Sequence, residues 1–193
     1  MKLKTEADII QLVQQDRWMM NILKAAQSLN LPDWWVCAGF VRSKIWDVMH
    51  GFNTRTPLPD IDVIYFDPGN LEEATEKQLE QQLRTISPDV PWSVKNEARM
   101  HLINHIPPYA SSVDAMSKFP ETVTALGLAL DDLNQPLLAA PHGLADVLDM
   151  VVRPTPHFKD NEILAGIYEA RISKKNWKSI WHQIEIMPIR PVS

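Results

Sequence analysis

One cysteine, Cys37, in 193 residues leaves no internal disulfide to be made, and its place inside an apolar run suits a small buried side chain better than a nucleophile. A reducing, cytoplasmic setting is the expectation. No stretch approaches the ~18 uninterrupted apolar residues of a membrane-spanning helix. The opening Met1-Lys2-Leu3-Lys4-Thr5-Glu6 lacks the apolar core of a secretory signal, so no membrane partner is expected. Positive charge is also short. With 19 Lys and Arg against 24 Asp and Glu, the net charge of -5 gives no basic footprint for wrapping duplex nucleic acid, which is therefore not the first partner to expect; a local basic patch beside a cleft stays open. The histidines lack a Cys or close His partner at zinc spacing, so His101 and His105 read as polar surface or hydrogen-bonded groups. There is no internal repeat and no low-complexity tract.

What is present is ordinary globular material, 45% hydrophobic and 22% charged, long enough for one domain or one domain with a small appendage. Prolines punctuate the chain near positions 57, 88, 107, 154 and 188. The most informative stretch is Asp60-Ile61-Asp62-Val63-Ile64-Tyr65-Phe66-Asp67. As a strand it sets Ile61 and Val63 on one face and Asp60 and Asp62 on the other, the two carboxylates roughly 6 to 7 Å apart. Such a pair suits a divalent cation that takes its remaining ligands from water and phosphate. It equally suits a turn residue after Pro59 followed by a solvated strand position.

Upstream, Thr5 caps a helix whose apolar stripe runs unbroken through Ile9, Leu12, Val13, Met20, Leu23 and Ala26 to a stop at Asn30-Leu31-Pro32. Trp34 to Ala38 reads as a buried strand, Gly39 as a turn and Val41 to Met49 as a helix. A strand, a glycine turn and a helix start favour a phosphate, with Arg42 and Lys44 adding charge. The alternative is a plain turn with solvated cations.

These segments resemble the nucleotidyltransferase superfamily typified by DNA polymerase beta, in particular a bacterial branch of it. The resemblance rests on Ala38-Gly39-Phe40-Val41-Arg42-Ser43-Lys44-Ile45-Trp46-Asp47 and on Leu58-Pro59-Asp60-Ile61-Asp62-Val63. It continues through Lys95-Asn96-Glu97-Ala98-Arg99-Met100-His101 and Ala140-Pro141-His142-Gly143-Leu144. It implies a mixed α/β fold, with a small mixed sheet flanked by helices over residues 1–152 and a helical C-terminal addition over 153–193. It also implies a nucleoside triphosphate at Gly39, Phe40, Arg42 and Lys44, with Mg²⁺ or Mn²⁺ on Asp60 and Asp62. A third carboxylate would come from Glu97, or from Asp114 in its place. The implied reaction moves a nucleoside monophosphate to an acceptor hydroxyl with release of pyrophosphate; the alternative is an inactive protein that binds a nucleotide or a partner on the same fold. Phe40 replaces the small second turn residue of the family, and the link from turn to acid pair is longer than usual.

Further along, Asn70 with Glu73 reads as a capping box opening a helix to Ile86, whose charges Glu72, Glu73, Glu76, Lys77, Glu80 and Arg84 form a solvated face. Trp92 to His101 alternates like a strand, on which Lys95 and Arg99 would share a face with Glu97 and pair with it. Ser111 opens a helix to Lys118, and Phe119 to Thr122 one more turn. A hairpin follows, with Asp131 and Asp132 as its turn acids, and then a short helix before Val151 and Val152. Residues 159–186 are helical with a break near Ser173. There Lys174, Lys175 and Lys178 beside Trp177 and Trp181 form either a basic aromatic face toward an acceptor or an amphipathic helix with tryptophan in its core.

Overall fold

The first helix breaks where the apolar stripe predicts continuity. In the computed structural model, which describes residues 3–104 and 106–189, α1 spans Glu6–Gln15 and α2 spans Arg17–Gln27. His105 and the terminal residues 1–2 and 190–193 lie outside the described residues. Thr5 and Asp8 form a reciprocal capping box at the start of α1. Asp16 divides the helices: its carboxylate accepts from the Met19 amide at 3.1 Å and meets Lys44 at 2.8 Å and Arg55 at 2.5 Å. The two helices still share one buried stripe, from Ile9 to Leu23.

The remaining elements are β1 (Trp35–Cys37), α3 (Gly39–Met49), β2 (Ile61–Tyr65), α4 (Glu73–Ile86), β3 (Trp92–Asn96), α5 (Glu97–Asn104) and α6 (Ser112–Ser117). Then come β4 (Gly127–Leu130), β5 (Pro136–Ala139), α7 (Ala145–Leu148), β6 (Val151–Val152), α8 (Pro156–Lys159), α9 (Glu162–Lys174), α10 (Trp177–Ile180) and β7 (Glu185–Ile186). Five strands form a mixed sheet in the order β3-β2-β1-β4-β5. β2 and β3 run parallel across the α4 crossover, and the other neighbours are antiparallel. One sheet face carries Ile61, Val63, Trp92 and Val94 into the main core with α2 and α4; the other holds Cys37, Ile64, Met116 and Ala139. Phe119 to Thr122 forms a hydrogen-bonded turn, with the Thr124 and Ala125 amides on the Glu121 carbonyl, rather than a helical turn.

Two sequence expectations change here. The solvated face of α4 is not wholly solvated: Glu76 is fully buried and Glu80 nearly so. Glu76 accepts two bonds from Arg99, at 3.0 Å each, one from the Asn96 amide at 3.0 Å and one from Lys95 at 3.3 Å. Glu80 accepts from the Val94 amide. Lys95 and Arg99 thus pair with Glu76, not with Glu97, because the strand ends at Asn96. The Asn96 side chain accepts from the Ala98 amide and donates to the carbonyls of Asp67 and Asn70, which starts α5 at Glu97.

At the C-terminal side, Trp177, Trp181 and Ile184 belong to the main core, and β7 pairs in parallel with β6. No helix among the described residues is long and apolar enough to cross a membrane.

Candidate active site

The turn between β1 and α3 is strained. Ala38 sits at φ 57° and ψ -117°, a region costly for any residue with a Cβ. Three hydrogen bonds hold it there: its amide donates to the Leu126 carbonyl at 3.0 Å, and its carbonyl accepts from the amides of Val41 and Arg42 at 3.2 and 3.1 Å. The demand for glycine's freedom therefore falls on Ala38, not on Gly39. A Cβ on Gly39 would meet only ordinary contacts, 3.6 Å to Leu58 and 3.7 Å to Arg42. Gly39 instead lines a cleft of about 450 Å³, with the start of α3 opening onto it.

The same cleft holds both members of the acid pair. Asp60 is exposed and Asp62 half-buried on the strand face opposite Ile61 and Val63, which are fully buried. Burial pushes the Asp62 carboxyl up to about 6, with Asp60 adding repulsion, while Ser93 and the charges of Arg171 and Lys175 pull it back. In register, Asp62 lies between Cys37 on β1 and Ser93 on β3. The neighbouring strand thus presents a hydroxyl, not a carboxylate, beside Asp62.

Glu97 lies elsewhere, lining a second cleft with Tyr109, Lys118 and His157. Burial pushes its carboxyl up to about 7, with Glu76 and Asp62 adding repulsion against Lys95. Asp114 accepts from the Ala110 amide at 2.9 Å and pairs with Lys118 at 2.5 Å, a local cap and ion pair rather than a partner of Asp62. Asp131 holds the hairpin turn through the amides of Leu133 and Gln135, both at 2.8 Å. Among the described residues, no group of three or more His, Cys, Asp or Glu is arranged to hold a metal. Burial, then the nearby carboxylates Asp62, Glu97 and Asp60, raise the Cys37 thiol well above its ordinary value, in keeping with a buried apolar role.

Of the cations singled out by sequence, Arg42 reaches the cleft and Lys44 does not. Lys44 is bound to Asp16, and Phe40 is buried against Trp18, ring centroids 5.9 Å apart. Only the backbone of Phe40 is left for a ligand at the turn. Arg42 lies among three indoles, its guanidinium carbon 4.3 Å from the Trp177 centroid, 5.2 Å from Trp46 and 5.4 Å from Trp181. Its Nη2 donates to Ser43 at 3.1 Å, while its buried Nε has no partner. Burial draws the guanidinium down to about 10, with Glu121 opposing and Arg171 assisting.

The rest of the cleft comes from parts of the chain that sequence spacing does not link to it. Thr124, Arg171, Lys175, Asn176 and Trp177 form the opposite wall. Arg171 is oriented by fully buried Glu121, Nε to Oε1 at 2.6 Å. Of the lysine group, Lys175 lines the cleft, while Trp177 and Trp181 are core residues. Asp47 ties the walls together, accepting from the Thr56 amide at 2.8 Å, the Thr56 hydroxyl at 2.6 Å and the Trp181 indole at 2.9 Å. One cleft therefore holds a helix start, three cations and two carboxylates.

A family model described as nucleotidyltransferase matches residues 24–186. No curated protein matches the chain. Among solved structures, one described from NMR as a CCA-adding enzyme head domain superimposes with a TM-score of 0.85 at 39% identity, over 96% of this chain and 97% of that one. A tRNA-processing enzyme in an apo form matches with a TM-score of 0.51 at 15% identity, over 98% of this chain and 46% of its own. A Thermotoga maritima CCA-adding enzyme complexed with tRNA matches with a TM-score of 0.50 at 14% identity, over 93% and 45%. This chain spans less than half of those last two, and at that identity they show a common fold alone. With the family model spanning most of the chain and a relative at 39% identity matched nearly end to end, the protein belongs to this nucleotidyltransferase family.

Proposed function

We propose that the Gly39 cleft binds a nucleoside triphosphate together with a divalent cation and transfers its nucleoside monophosphate to an acceptor hydroxyl. The observation that carries the reading is the meeting, in one cleft, of an anion-favouring helix start and three cations with a strand-borne carboxylate pair. The phosphates lie against the start of α3, whose Gly39 and Phe40 amides precede the first bonded ones. Arg42 lines the cleft on the α3 side, and Arg171 and Lys175 line the opposite side. Asp60 and Asp62 fit Mg²⁺ or Mn²⁺, since their donors are hard oxygens on one strand face and their mutual repulsion is relieved by a cation. A bound cation supplies charge neutralisation for phosphate oxygens. The acceptor oxygen bonds to the alpha phosphorus as the bond to the beta-phosphate oxygen breaks; pyrophosphate leaves and the hydroxyl proton passes to solvent.

A second reading is favoured by Ser93 beside Asp62: with Asp60 and Asp62 the only carboxylates lining the cleft among the described residues, the protein would hold the nucleotide without transferring it. The two readings part on turnover. Binding of ATP with Mg²⁺ is expected to weaken at least about tenfold in Arg42→Met and in Arg171→Met, each removing a charge-assisted contact. Unchanged affinity in both would remove the phosphates from this cleft. Pyrophosphate release over a panel of hydroxyl acceptors then separates transfer from binding alone.

A further inference from the structure

The cleft beside Glu97 is unaccounted for by the nucleotide site. It has a volume of about 470 Å³, within the range of small-molecule sites, and its walls are Met100, Ile103, Phe119, Phe158, Leu164 and Ile167. Glu97 is 7% exposed, and no hydrogen bond or ion pair from another described residue reaches its carboxyl. A carboxyl this buried without a protein partner is costly, and Glu97 lines the cleft, where a ligand can supply one.

The surrounding charge selects that partner. Burial, then Glu76 and Asp62, disfavour the Glu97 carboxylate, and Lys95, which attracts it, is itself paired with Glu76. Of the cations facing the cleft, Lys118 is already paired with Asp114 at 2.5 Å and lies 5.0 Å from the Tyr109 ring centroid. Burial, then Lys118, lower His157, which favours the neutral imidazole. The Tyr109 hydroxyl accepts from Asn104 at 3.1 Å. The unmet electrostatic demand is for a positive donor with an apolar body.

α9 lines both clefts, with Leu164 and Ile167 in one and Arg171 in the other, and the Cys37 thiol feels Asp62, Glu97 and Asp60 together. We propose that the Glu97 cleft is the acceptor subsite and takes an apolar-bodied small molecule anchored through an amine on the Glu97 carboxylate. Calling it the acceptor subsite rests on the transfer reading; the amine site itself does not.

Phenethylamine is a suitable probe, with 3-phenylpropionate as its anionic counterpart, each titrated into the ¹⁵N-labelled chain. Saturable shifts of the Met100, Phe119 and Phe158 amides are expected with the amine and not with the acid. Affinity is expected to fall at least about tenfold in Glu97→Gln, whose spectrum reports whether the fold is kept. Ile167→Trp, a change at a half-exposed position, should block the cleft without touching Glu97. No saturable shift, equal binding of the acid, or unchanged affinity in Glu97→Gln would overturn the site. ATP with Mg²⁺, read at the Gly39 and Asp62 amides of the same samples, tests the nucleotide site separately. Loss of the ATP response with the amine response intact would reject the transfer reading and keep the amine site.

Discussion

Ala38 and Glu97 carry the clearest single-residue consequences. Replacing Ala38 by glycine removes the penalty of φ 57° and adds unfolded-state entropy, so the net stabilisation is expected to be about 1 kcal/mol in urea unfolding. A loss of stability would mean that the turn is not strained. For Glu97 the folded pKa, about 7, lies above the ordinary carboxylate value. Its ionisation therefore costs stability: nothing below about pH 4.5, where both states are protonated, and progressively more up to about pH 7. Glu97→Gln should stabilise the chain by on the order of 2 kcal/mol above pH 7, with the gain vanishing in acid. An equal effect at pH 4 and pH 8 would contradict it. The acid pair was legible residue by residue because strand alternation alone separates Asp62 from Ile61 and Val63. Glu97 was read onto a strand and instead starts α5, because Asn96, a good helix-capping residue, ends the strand one position earlier, a signal present in the sequence but masked by the alternation on either side.

Between elements, buried carboxylates do the joining, and these were hardest to foresee. The stripe of the first helix was read correctly except that Met19, not Met20, is its fully buried methionine, while its division at Asp16 was not read, since Lys44 and Arg55 come from distant positions. Glu76 shows the same effect, because nothing in the pattern of α4 distinguishes it from its solvated neighbours. Burial raises its carboxyl, but the Arg99 bonds, the Asn96 amide and Lys95 outweigh this and hold it below the ordinary value. Its contribution is present above the unfolded pKa and is lost as pH falls through the folded one. Glu76→Ala should cost about 3 kcal/mol at pH 7, because Arg99, 11% exposed, is left without its bidentate partner. The deficit should shrink in acid; a deficit independent of pH would show that shape and not charge is at work.

At the scale of the molecule, the cleft is assembled from the two ends of the chain. The turn and the acids were legible because they lie in two neighbouring segments, and the mixed sheet was implied by the family resemblance, whereas the cations of the opposite wall, Arg171 on α9 and Lys175 just after it, come more than a hundred residues later. Asp47 is the joint, and Asp47→Ala leaves the Trp181 indole and the Thr56 amide unbonded. That change should lower stability by about 2 kcal/mol and weaken nucleotide binding together, as read by thermal unfolding and titration. Lowered stability with unchanged binding would separate the wall from the site.

The most direct test is calorimetric titration of ATP, CTP, GTP and UTP, with and without Mg²⁺, into the wild type and the Asp60→Ala/Asp62→Ala double variant. Binding of at least one triphosphate that requires both Mg²⁺ and the acid pair is the predicted result. Binding indifferent to the metal and to the double change, or no binding of any of the four, would contradict the nucleotide site at Gly39, Asp60 and Asp62.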